Sequence, residues 1–156
     1  MTAEIVVTVL SRVLLVGLFL PFSALDKVLN FSGAVDQAGQ IGVGRTLGSA
    51  MIVAGLAAEV FLSLGILTGI ADRLCAVLLA AYCVVTAVLY KRWWAIPDAG
   101  IYSGGTGAGT FFEFWKNFAL AGGFLMLAFG PTGDGLAALA ADPFGSTHPY
   151  AQEATP

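Results

Sequence analysis

The chain has 156 residues, 58% hydrophobic and 11% charged, a net charge of −3 and a mean hydropathy of +0.85. Soluble domains average about 45–50% apolar and 25% charged, so the composition excludes an ordinary soluble domain and predicts an all-α integral membrane protein, a single four-helix bundle. With an acidic balance and no run of Lys or Arg, nucleic acid is excluded as a partner, because phosphates demand basic clusters.

The first predicted helix runs from Ile5 to Leu25. No Lys or Arg precedes Arg12, so the positive n-region of a secretory signal is missing and the helix is expected to be retained. Pro21 has no N–H to donate and clashes with the carbonyl of Gly17, which predicts a kink just before Ser23. On a 100° wheel Ser23, Asp26 and Lys27 fall within ~60° of Arg12, so one stripe of this helix is polar. Gln37 to Val43 is expected as a short interfacial element. Leu47 to Thr68 forms the second helix, and its apolar run is interrupted only by Glu59. A short turn, Gly69–Asp72, joins it to the third, Arg73 to Tyr90, in a tight antiparallel hairpin. Cys75 and Cys83 on that helix are about 12 Å apart by helical rise, beyond the ~7 Å reach of a disulfide, and read as small buried hydrophobes. Gly104, Gly105, Gly107 and Gly109 form a flexible loop, which lacks the Lys-Ser/Thr of a phosphate cradle. The fourth helix is Phe111 to Phe129. Residues 131–156, with Pro131, Gly133, Gly135, Pro143, Pro149 and Pro156, read as an acidic, largely flexible tail. The domain boundaries are thus 1–130 for the bundle and 131–156 for the tail.

Four spans place both termini on one side with Arg73, Asp134, Asp142 and Glu153. The opposite, loop side holds Arg45, Lys91, Arg92 and an interfacial belt of Trp93, Trp94 and Trp115, and the positive-inside rule makes it cytoplasmic.

A carboxylate at the depth of Glu59 is costly unless it is paired, protonated or facing water, and an intramembrane ionisable group is by default a functional-site hypothesis. Arg12 lies about 10 Å and Glu59 about 13 Å from the terminal side on antiparallel helices, so the two are expected to pair, as a proton relay or as a purely structural pair that sets helix register. Gly55 and Ser63, one turn either side of Glu59, mark a packed helix interface. A second cluster is expected at the loop side, where Asp26 and Lys27 end the first helix and Glu113, Lys116 and Asn117 begin the fourth. Its lysines are either site residues or snorkelling anchors. The lone histidine, His148, lies in the Pro-flanked tail, so neither a haem nor a metal site is expected, and the chain carries no redox centre of its own.

These residues, in this order, resemble the DoxX family of small four-helix membrane proteins of bacteria and archaea. Arg12, Phe19-Leu20 and Asp26-Lys27 are similar to its first-helix pattern, with Ser23-Ala24 where a glycine is usual. Glu59, Leu64-Gly65, Gly69 and Arg73 are similar to its second helix and turn. Lys116-Asn117-Phe118-Ala119-Leu120 with Gly122-Gly123 is similar to its fourth helix. The resemblance spans about residues 8–130 and implies a plasma-membrane location and association with quinone-linked redox systems, since members accompany quinol oxidases and thiosulfate:quinone oxidoreductases. The leading expectation is therefore an accessory or quinone-interacting subunit of a membrane oxidoreductase. Lys27, Lys116 and Asn117 would donate to the quinone, Tyr90 and Trp115 would wall it, and Arg12–Glu59 would hold or relay a proton. Electrons would come from a partner protein. A small-solute transporter lined by the same charges and a structural assembly factor are the alternatives. Membrane lipid and a redox-enzyme partner are the expected neighbours, with a homo-oligomer left open.

Overall fold

A computed structural model describes residues 2–98, 100–102 and 104–151. Among these residues the chain is helical, without strands. The first span is built from three pieces: α1 (Ala3–Val16), a π-helical segment at Leu18–Ser23 that contains Pro21, and α2 (Ala24–Leu29). A proline cannot donate to the carbonyl one turn earlier, and a widened turn absorbs the mismatch: the amide of Ala24 donates to the carbonyl of Phe19, five residues back. The expected kink thus takes the form of a π bulge.

A surface helix, α3 (Phe31–Gly39), follows. It lies earlier than the expected interfacial element, of which it includes only Gln37 to Gly39. Its apolar face, Val35 and Ala38, is buried against α4 (Arg45–Thr68), where Gly48 leaves space for close approach. The antiparallel hairpin is completed by α5 (Asp72–Tyr90), and α6 (Gly107–Phe129) packs along α5. That last helix begins at Gly107, so Gly107 and Gly109 belong to it and not to the glycine loop. Among the described residues three helical stretches, Ala3–Leu29, Arg45–Thr68 and Asp72–Ala95, are long and apolar enough to cross a membrane. The 23 residues of α6 match them in length, but Glu113, Lys116 and Asn117 make its first half polar.

The dry core lies toward the terminal side, where Phe124, Ile66 and Leu79 are fully buried and Val16 and Phe19 nearly so. Phe19 packs against Phe124 at 5.8 Å between ring centroids. Both cysteines are free, Cys83 buried and Cys75 partly so.

Residues 131–151 differ from the expected flexible tail. They include a short helix, α7 (Gly135–Ala141), and then a strap that returns to the α4–α5 turn. Tyr150 donates its hydroxyl to the carbonyl of Leu67, and Thr147 bonds Asp72 through both its amide and its hydroxyl. Residues 152–156, including Glu153 and Pro156, lie outside the described residues. Pro149 rests on Gly69, whose φ of +78° is left-handed. A Cβ there would sit 2.8 Å from Pro149 Cδ. Gly69→Ala therefore combines a backbone penalty of about 1–2 kcal/mol with displacement of the strap. Its expected signature is a lower thermal midpoint in detergent, together with faster amide exchange across residues 146–151.

Candidate functional site

Two buried ion pairs occupy the bundle at different depths. Near mid-span, Glu59 is 2% exposed, and its carboxylate is the hub of one cluster. Lys27 Nζ donates to Glu59 Oε1 at 2.8 Å and to Oε2 at 3.0 Å. Ser23 Oγ and the Tyr82 hydroxyl both donate to Oε1, at 3.0 and 2.8 Å, and Lys27 also donates to Ser23 Oγ at 2.6 Å. Gly55 makes room for this arrangement, since a Cβ at that position would lie 3.1 Å from the Tyr82 hydroxyl.

The second pair lies at the terminal side. Arg12 Nη2 donates to Asp72 Oδ2 at 2.7 Å and to Thr147 Oγ1 at 3.0 Å, and Nη1 donates to the carbonyl of Ile66 at 2.5 Å. Asp72 is fully buried and also accepts the amides of Arg73 and Thr147.

The expected Arg12–Glu59 pair is therefore corrected: each charge has a different partner. Helical side chains lean toward the N-terminus of their own helix. Arg12 thus reaches toward the terminal side and meets Asp72, while Lys27 reaches back into the bundle. Glu59, on the antiparallel α4, leans toward the loop side and meets Lys27. Depth counted at the Cα atoms misses this. Lys27 accordingly sits in a buried pair as well as at the boundary.

Above Glu59, toward the loop side, a cavity of about 870 Å³ opens between the first span, α3, α4, α5 and α6. Its deep end is the Glu59–Lys27–Ser23–Tyr82 cluster, and apolar side chains including Phe19, Ile52, Val85 and Leu120 form its walls. Asp26, Tyr90, Lys91, Glu113, Lys116 and Asn117 line its loop-side end. Lys91 pairs with Glu113 at 2.6 Å, and Asn30 bonds Asp26 at 2.7 Å. Lys116 is exposed and makes no ion pair among the described residues, and Asn117 donates to the carbonyl of Glu113. Leu18 and Ala119, on the first span and α6, line the cavity and are themselves exposed. Terminal-ward of them α1 closes on α6 at Leu15 and Gly123.

Of the residues singled out from the sequence, Asp26, Lys27, Glu59, Tyr90, Glu113, Lys116 and Asn117 share this cavity. Arg12 does not. Trp115 does not line it either: half exposed, it meets Phe111 and Phe114 edge-on and Phe118 at a tilt in a row of aromatic contacts. Tyr82, Asp72 and Thr147 were missed. Tyr82 follows Glu59 at the matching depth of the next, antiparallel helix, which was the available signal. Asp72 reads from the sequence as part of the turn, and Thr147 carries no sequence signal. No group of three or more His, Cys, Asp or Glu side chains able to hold a metal ion is found among the described residues.

Residues 7–92 match the DoxX family. The inner membrane protein YphA of Escherichia coli (strain K12) is 30% identical over 137 residues, 88% of this chain and 90% of that protein. No solved structure matches. Apolar spans, a matched family profile and similarity along most of an inner membrane relative lead to one conclusion: the chain is an integral protein of the inner membrane and belongs to the DoxX family.

Proposed function

We propose that this chain is a redox-associated membrane protein whose loop-side cavity holds the head group of a lipid-soluble quinone, next to a partner oxidoreductase. The observation that carries the reading is the make-up of the cavity: apolar along its walls, with Leu18 and Ala119 exposed where the first span and α6 border it, and ending on a buried carboxylate held by three hydrogen-bond donors. A volume of about 870 Å³ is within the ~300–1,000 Å³ of ordinary ligand sites. The donor set fits a ligand with two carbonyl acceptors. Lys116 supplies an ammonium that makes no ion pair among the described residues, and Asn117 a side-chain amide at the same end of the cavity, whereas the three donors of Lys27 are all engaged by Glu59 and Ser23 and fix the floor of the site.

A bound quinone would supply two-electron chemistry, with electrons delivered by the partner. The chain's own residues would position the head group, exclude water at the deep end, and hold a proton at Glu59 within reach of Tyr82 and Lys27. Charge at Lys116 would favour a ligand bearing acceptor oxygens over an alkane or a cation.

Lipid extraction of the detergent-purified protein, followed by mass spectrometry, tests the reading. The expected result is a quinone retained in near-stoichiometric amount, depleted several-fold in Lys116→Ala, and a rise in thermal midpoint on adding a short-chain quinone. A quinone content no higher than in the bulk lipid, with no change in midpoint, would overturn it.

A further inference from the structure

Two hollows in this bundle share a wall. On the outer face of the α4–α5 hairpin, a groove of about 560 Å³ runs between Ala57, Ala58 and Phe61 on one helix and Ala81, Tyr82 and Val85 on the other. The alanines leave room beside Phe61 and Val85, which are 70% and 53% exposed. These residues fall in the middle of two helices long and apolar enough to cross a membrane, which sets the groove against the hydrocarbon of the bilayer. Tyr82 and Val85 also line the loop-side cavity. At these two positions groove and cavity are therefore one side chain apart.

Tyr82 is held in that wall by little. Its hydroxyl donates one hydrogen bond, to Glu59 Oε1 at 2.8 Å, and its ring meets Phe19 edge-on at 6.4 Å. Gly55 leaves bare backbone beside the hydroxyl, where a Cβ would stand 3.1 Å away. If the phenol turns aside, Glu59 still accepts from Lys27 on both oxygens and from Ser23 on one. The buried carboxylate keeps its cation while the ring moves.

We propose that the α4–α5 groove is the bilayer entrance to the loop-side cavity and that Tyr82 is its gate. An apolar molecule dissolved in the membrane seats in the groove and passes between Tyr82 and Val85 to the space above Glu59. The bond to Glu59 then recloses the wall. A charged solute is refused on this route, because the groove has nothing to replace its hydration; such a solute enters at the polar loop-side end, beside Lys91, Glu113 and Lys116. The inference rests on the quinone reading for the identity of the natural ligand, and it supplies the route by which a lipid-soluble molecule arrives.

The test uses the full chain in lipid nanodiscs, with Cys75→Ala and Cys83→Ala, so that Thr86→Cys on the cavity wall carries the sole thiol. Two reagents are compared: N-cyclohexylmaleimide, which partitions into the bilayer, and a sulfonated methanethiosulfonate, which stays in water. Ala81→Phe, and independently Ala57→Phe, is expected to slow labelling by the maleimide about ten-fold and to leave the charged reagent unaffected. Tyr82→Phe removes the latching bond and keeps the ring, so maleimide labelling should accelerate several-fold. Ala119→Phe, at the border between the first span and α6, should change neither rate. Maleimide labelling at the parent rate in both folded groove variants, or slowed by Ala119→Phe instead, would overturn the inference. No quinone is present, so the outcome is independent of the quinone content that tests the function proposed above.

Discussion

Lys27→Leu is expected to destabilise the protein by about 3–5 kcal/mol, the usual consequence of removing one partner from a buried ion pair. The damage comes from what is left behind. Glu59 is 2% exposed, and without Lys27 Nζ its carboxylate would keep only the neutral donors Ser23 and Tyr82. Lys27→Leu/Glu59→Leu should be distinctly less harmful than Lys27→Leu alone, because the stranded charge is gone. Unfolding in mixed detergent micelles measures both. Simple additivity of the two substitutions would show that the pair is not coupled.

Arg12→Leu should be comparably severe, through Asp72. That carboxylate is fully buried and would lose its cation, while the carbonyl of Ile66 would lose a donor. Asp72→Asn should be milder, since an amide still hydrogen-bonds the guanidinium and Thr147. Arg12→Leu should also loosen the strap, because Arg12 bonds Thr147 directly, and amide exchange across residues 146–151 should accelerate. One further comparison separates the observed pairing from the one expected from depth. Arg12→Leu/Glu59→Leu strands two charges instead of removing a pair, so its cost should be close to the sum of the single changes, as for sites that share no partner. Rescue in that double variant would restore Arg12–Glu59 as partners.

The helices and the loop-side polar cluster were legible because they depend on local quantities: apolar run length, the turn chemistry of Gly69, and the placing of Glu113, Lys116 and Asn117 at the start of a helix. The pairing was not legible from Cα depth alone. Arg12, Lys27 and Glu59 all have reaching side chains, and the direction of lean decides which charges meet. That rule is known from the helical backbone, and combined with the antiparallel direction of the two helices it turns Arg12 away from Glu59. Asp72 was hidden for a different reason. An acidic residue at a helix start is ordinarily solvated and favourable to the helix dipole, and only the return of the chain from Thr147 to Tyr150 makes this one a buried group. The glycines and prolines of residues 131–151 announced turns truthfully, but turn residues do not say what the chain beyond them will touch. The aromatic character of Trp115 suits a cavity wall and the aromatic row it joins equally well, so composition alone does not choose between them.

The π bulge at Leu18–Ser23 carries a consequence for how this span tolerates changes in length. Its wide turn accommodates one residue more than an α-helical turn would. Everything downstream, including Ser23 and Lys27, is therefore rotated about 100° from where an uninterrupted α-helix would point it. Deleting a single residue inside the bulge would let the backbone relax into regular helix, so the span would survive as a membrane anchor. The same deletion would leave Lys27 facing Glu59, because the residue lost is the one the bulge had absorbed; a bulge straightened without deletion would instead turn Lys27 by about 100° and leave the carboxylate without its cation. Loss of one residue at this position is thus tolerated by insertion and polar core alike, a tolerance that few other places along an apolar helix provide.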